Sequence, residues 1–111
     1  MMPRWSVRLA RAAEQDYEDI LLWTHQQFGP IQAQAYAATL SQAISALVDG
    51  PKIAGVKPRE DIGPAIHTLH VARLGRKGRH FVVFQCTGNS SIDILRLLHD
   101  SMDLPQHDLG E

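Results

Sequence analysis

The feature that most constrains this chain is a pair of amphipathic stripes separated by a Gly-Pro break. Ala13, Tyr17, Ile20, Leu21, Thr24 and Phe28 recur at three- and four-residue steps, which is one face of a helix. Glu14, Asp16, Glu18 and Asp19 lie toward its N-terminal half, where the helix dipole favours anions. Gly29 stands where a helix commonly ends, and Pro30 is tolerated as the first residue of the next. Ala33, Tyr36, Ala37, Leu40, Ile44, Leu47 and Val48 then trace a second apolar stripe, with Gln32, Gln34, Thr39, Gln42 and Ser45 opposite. Gly50-Pro51 stops it. So short a break between two amphipathic helices turns them back on each other as an antiparallel hairpin.

Strands flank the hairpin. Trp5, Val7 and Leu9 alternate with Arg4, Ser6 and Arg8, a half-buried strand. After the hairpin, Lys52 to Pro64 holds further turn-formers and reads as an irregular connection. Ile66 to Val71 reads as a strand, and His80 to Cys86 as a stronger one for its β-branched and aromatic content. Between them Gly75-Arg76-Lys77-Gly78 is expected to be a hairpin turn. Thr87 to Ser90 is a second turn, and the nearly continuous apolar run Ile92 to Leu98 reads as a central strand covered on both faces. Pro105 to His107 reads as a short helical turn, with Leu109 to Glu111 frayed. The expected fold is α+β in two layers: an N-terminal strand, the helical hairpin, then a three-stranded antiparallel meander. Its 111 residues suit one domain, 1–111, with 101–111 an acidic, partly flexible tail.

Net charge decides less than its distribution. The chain carries −1 overall, but residues 51–99 hold eight Lys/Arg against three acids, for +5. Residues 1–50 hold three Arg against five acids, and the tail from Asp100 is wholly acidic. A basic middle segment attracts acidic or nucleic-acid partners. No apolar run reaches the roughly 20 residues that span a bilayer. The N-terminus lacks the apolar stretch of a signal peptide, and the single Cys86 excludes an internal disulfide. A cytoplasmic protein is expected, with no membrane contact.

No strong catalytic motif is present. Gly75 and Gly78 have the wrong spacing for a phosphate loop. Cys86 follows Phe84 on an apolar strand and reads as a small core residue. His67 and His70, three apart on a strand, point to opposite faces. His80 and His99 sit on different strands without a cysteine partner in range, so neither a metal site nor a cofactor is expected. Both tyrosines, Tyr17 and Tyr36, lie on apolar helix faces and read as core. The remaining candidates are Arg73, Arg76, Lys77, Arg79 and Arg96, with His80 and His99; all of these but His80 are expected to form a partner-binding surface. Arg79, Arg96 and His99 are also the set from which an RNA-cleaving site could be assembled. Strict alternation opposes that set: Arg96 shares parity with Ile94, opposite to Leu95, Leu97 and His99. No catalytic residue is assigned.

The opening Val7-Arg8-Leu9 leading into Ala13 and Asp16-Tyr17-Glu18-Asp19-Ile20 resembles the start of ParE toxins. So does Phe28-Gly29 followed by Gln32-Ala33 and Tyr36. Ile66-His67-Thr68-Leu69 and His80 through Phe84 are similar to that family's later strands. The most specific block is Ile92-Asp93-Ile94-Leu95-Arg96-Leu97-Leu98-His99, followed by Met102-Asp103 and His107. The resemblance spans roughly residues 5 to 109, and it implies a RelE/ParE-like two-layer domain. By that resemblance the protein is a type II toxin, inhibiting DNA gyrase and neutralised by a cognate antitoxin in a toxin–antitoxin hetero-oligomer. It implies no enzymatic activity and no direct sequence-specific nucleic-acid binding. RelE relatives instead cut mRNA on the ribosome with a basic, tyrosine-containing site; here no tyrosine follows Tyr36. An inactive relic that only binds antitoxin is the third alternative. Two departures stand out: Ala10-Arg11 where the family places a capping Ser or Thr, and a Leu74–Gly78 segment longer than the usual turn.

Overall fold

The computed structural model describes residues 4–106. In chain order it has strand β1 (Ser6–Leu9), helices α1 (Arg11–Phe28) and α2 (Pro30–Ala46), and strands β2 (Lys57–Pro58), β3 (Ile66–His70), β4 (His80–Thr87) and β5 (Ser91–His99). A 3-10 turn, Leu47–Asp49, ends the hairpin, and a second, Leu104–Gln106, follows the sheet. The expected turn at Pro105 to His107 thus lies one residue earlier. His107 and the fraying expected for Leu109 to Glu111 fall outside the described residues.

The helical hairpin turns on one residue. Gly29 takes φ 92, a conformation glycine reaches without strain, and its N–H closes α1 on the His25 carbonyl. The apolar stripes meet over Ala13, Leu40, Ala43 and Leu47, all essentially buried. Two expectations about the stripes change. Phe28 is 64% exposed, because α1 runs past the edge of the layer it covers. Thr39, expected on the polar side, is buried, its hydroxyl donating to the Ala35 carbonyl one turn back. Gly50 is pressed on the indole of Trp5, where a Cβ would come within 2.8 Å of the ring nitrogen, and this seats β1 under the hairpin.

The sheet order is β1-β5-β4-β3-β2, with β1 parallel to β5 and the other pairs antiparallel. β5 is therefore central, as its apolar run implies. β2 is an addition: Lys57 and Pro58 lie within the connection expected to be irregular, yet pair with Thr68 and His67 at the sheet edge. Two residues, one a proline, leave no alternation to read, and an edge is where proline is tolerated.

One face of the sheet packs Leu69, Val71, Val82, Phe84, Ile92, Ile94 and Leu97 against the helices. The other carries Ile66, Val83 and Leu98, covered by Leu104 and Ile62. The register jumps from Val83↔Arg96 to Phe84↔Ile94, so Leu95 is an extra residue on β5. This bulge overturns strict alternation there: Ile94 and Leu97, three apart, share the helix face. Arg96 pairs with Val83 of the outer cluster, and His99 pairs with His80. The β3–β4 connection also differs from expectation. Its turn is centred on Leu74-Gly75, not on Gly75–Gly78, with the Arg76 N–H bonded to the Arg73 carbonyl at 3.0 Å.

Candidate functional site: a cleft between the helical hairpin and the β3–β4 loop

Where α1 overruns the sheet, a cleft of about 1240 Å³ opens between the hairpin tip and the β3–β4 loop. The hairpin contributes Ile20, Trp23, Phe28 and Tyr36. Trp23 and Phe28 are more than half exposed and meet edge-on, ring centroids 5.8 Å apart. The loop and strand ends contribute Arg76, Lys77, Arg79, His80 and His99. The result is an apolar wall facing a basic rim.

Tyr36 ties the two sides together. Its hydroxyl oxygen accepts the Arg79 backbone N–H at 2.9 Å and lies 2.7 Å from His80 Nδ1, to which it can donate. Burial pushes the Tyr36 hydroxyl above its ordinary pKa, so the proton stays on oxygen. Burial, followed by the neighbouring His99, lowers His80 to about 4, leaving it a neutral acceptor at pH 7. His80 and His99 meet as a cross-strand pair, ring centroids 5.2 Å apart. Gly78 makes the close approach possible: a Cβ there would come within 2.5 Å of Val71 Cγ2 and 3.2 Å of the Tyr36 oxygen.

The predicted site residues divide. Arg76, Lys77, Arg79 and His99 line the cleft, and Arg73 stands beside it at the loop turn. Arg76 Nε donates to Gln42 Oε1 at 2.8 Å, and Arg79 Nε to the Asp100 carboxylate at 3.1 Å. Asp100 also meets His70 Nε2 at 3.0 Å; His70 first, then Arg79, holds its carboxyl below the usual carboxylate range. His99 Nδ1 accepts the Ser101 N–H. Arg96 is elsewhere. Its guanidinium forms a bidentate pair with Asp16 of α1, at 2.7 and 2.9 Å, and the same carboxylate accepts the Leu97 N–H. Asp16 so caps the stretch of β5 that β1 leaves unpaired. Arg79 and His99 are thus brought to one cleft, and Arg96 is not.

Tyr36, Trp23 and Phe28 are cleft residues that the sequence pattern did not single out, whereas His80, a candidate beside His99, does line the cleft. Tyr36 sits on the apolar stripe as expected, but its ring reaches the end of the layer, where the hydroxyl meets polar groups. The one signal available was Phe28 beside Gly29, since a bulky apolar residue at a helix end overhangs its layer. Cys86 is half-buried against the core, and burial raises its thiol pKa, as suits a packing residue. Among the described residues, no group of three His, Cys, Asp or Glu is placed to hold a metal ion. No helix among the described residues is long and apolar enough to cross a membrane.

Residues 7–104 match the family model for the ParE toxin of type II toxin–antitoxin systems, parDE. The chain belongs to the ParE toxin family. It is 32% identical over 100 residues to toxin ParE1 of Caulobacter vibrioides, covering 90% of this chain and 94% of that one. Toxin ParE1 of Mycobacterium tuberculosis is 29% identical over 99 residues, covering 89% and 93%. Among solved structures, a chromosomal ParDE system from P. aeruginosa superposes with a TM-score of 0.69 at 24% identity, covering 86% of this chain and 95% of that one. The toxin–antitoxin complex RelBE2 from M. tuberculosis superposes with a TM-score of 0.58 at 17% identity, covering 86% and 98%. This ParE-family chain therefore has the RelE/ParE-like α+β fold that its sequence implied.

Proposed function

We propose that this ParE-family protein arrests growth by inhibiting DNA gyrase without catalysis, and that a cognate antitoxin neutralises it. What carries the reading is family membership across residues 7–104, together with the pairing of Arg96 to Asp16 away from the cleft. A nuclease site needs cations aimed at the scissile phosphate; here Arg96 is turned to a carboxylate and Arg79 to Asp100. The test adds purified protein to gyrase and relaxed plasmid. Supercoiling should be blocked at micromolar protein, and unchanged supercoiling rejects the reading.

The cleft fits the antitoxin. An apolar wall with a basic rim matches an acidic amphipathic segment laid into a groove. Trp23, exposed and central, is the anchor expected to dominate. Trp23→Ala should weaken antitoxin binding at least tenfold in calorimetry, as truncation of a buried aromatic anchor does.

The ribosome-dependent ribonuclease is the second reading, favoured by Arg79, His99 and Tyr36 meeting at one cleft. It requires mRNA cleavage on translating ribosomes that is lost in Arg79→Ala.

A further inference from the structure

One loop residue breaks two rules at once. Leu74 has φ 54, in the left-handed region that non-glycine residues rarely occupy, and its side chain is 85% exposed. With Gly75 at φ 82 and the Arg76 N–H bonded to the Arg73 carbonyl, the segment is a type I′ turn. Asn or Gly is the ordinary residue at Leu74's position in such a turn. Backbone strain of this kind persists where a function retains it. Leucine here gives the fold neither an easier backbone nor a buried contact.

The surroundings state what the tip would meet. No Asp or Glu occurs from Ile62 to Ile92, while Arg73, Arg76, Lys77 and Arg79 crowd the turn. Arg76 and Arg79 are engaged with Gln42 and Asp100. Arg73 and Lys77 have no ion pair or side-chain hydrogen bond to another described residue. Gly75, Arg76 and Lys77 line the cleft, but Leu74 does not. The loop therefore has an inner, cleft-lining side and an outer tip.

We propose that the Leu74 tip is the target-docking element of the toxin: Leu74 enters an apolar pocket on the target protein, and Arg73 and Lys77 meet carboxylates around its rim. A protein fits better than nucleic acid. A lone aliphatic side chain needs an apolar pocket, the chain's net charge is −1, and Asp19 lines the neighbouring cleft. An antitoxin in the cleft would hold the inner side of the same loop, so neutralisation follows from competition for one element. The proposal rests on the toxin reading above, though not on gyrase being the target.

Leu74→Asn tests it, because Asn-Gly is a favoured pair for a type I′ turn and should keep or raise the melting temperature. The variant should need at least tenfold more protein for half-inhibition of gyrase supercoiling and should lose growth arrest on expression. Antitoxin affinity should stay within twofold, and Leu74→Met, which keeps an apolar body, should retain inhibition. Equal inhibition by Leu74→Asn and wild type overturns the proposal and leaves the gyrase reading standing. A wild-type protein that arrests growth but spares supercoiling overturns gyrase instead, and growth arrest then judges Leu74. A wild-type protein that arrests nothing overturns both. Binding to relaxed plasmid alone, lost in Leu74→Asn, would replace the protein pocket with DNA.

Discussion

At the residue scale, the cleft depends on groups held in unusual states by close packing. Gly78 has no room for a side chain, since a Cβ would meet Val71 Cγ2 at 2.5 Å. Gly78→Ala should cost about 1–3 kcal/mol in denaturant unfolding, the scale of overpacking in a closed site. Gly75→Ala offers the contrast. There a Cβ meets nothing within 4 Å, so only the cost of φ 82, about 1 kcal/mol, should appear. His80 gives a pH signature. Its pKa falls from an ordinary 6.5 to about 4, chiefly through burial. Between those values the unfolded chain binds a proton that the folded chain excludes, so stability must fall as pH drops through that window. Melting curves from pH 7 to pH 4 should show this slope, and His80→Gln should flatten it. Asp100, whose carboxyl is held below its ordinary 3.8, adds its own loss only at more acidic pH.

At the element scale, α1 starts without a side-chain cap. Ala10 occupies the cap position with extended backbone, φ −64 and ψ 158, but offers no side-chain acceptor. Ala10→Ser should stabilise the protein by about 1 kcal/mol, seen as a rise of a few degrees in melting temperature. The missing cap was legible in the sequence, as were the helical hairpin, the three long strands and the central place of β5. Each spans enough residues for its periodicity to register. What was not legible has short-range or purely spatial causes. β2 is two residues long, and its pairing depends on β3 rather than on its own pattern. The β5 bulge inserts Leu95, which packs on the outer cluster, and it displaced the parity read between Ile94 and Arg96. Arg96 could be named from sequence, but its partner Asp16 lies 80 residues away and was read only as an anion favoured by the helix dipole. The candidate cleft was half legible: its basic rim shows as a cluster of charges, while its apolar wall looked like core.

At the scale of the whole molecule, Arg79 and Arg96 are paired with Asp100 and Asp16, while Arg76 and Lys77 stand on the cleft rim with no carboxylate partner among the described residues. The basic segment 51–99 sits on a chain of net charge −1. Association with an acidic antitoxin should therefore slow steeply with added salt, while dissociation, governed by the apolar wall around Trp23, changes little. Stopped-flow binding between 50 and 500 mM NaCl separates the two rates, and equal sensitivity of both would contradict the division. The topology carries a consequence for timing. Among the described residues β1 finds its one neighbouring strand in β5, in a register that places Ser6 beside Ser91. The strand made first thus waits for the strand made last, and the helices between them have no finished sheet to cover. During synthesis the chain has no native state until residues up to Ile94 have left the ribosome. A nascent or prematurely ended copy lacks the strand that β1 pairs with and stays open to proteases.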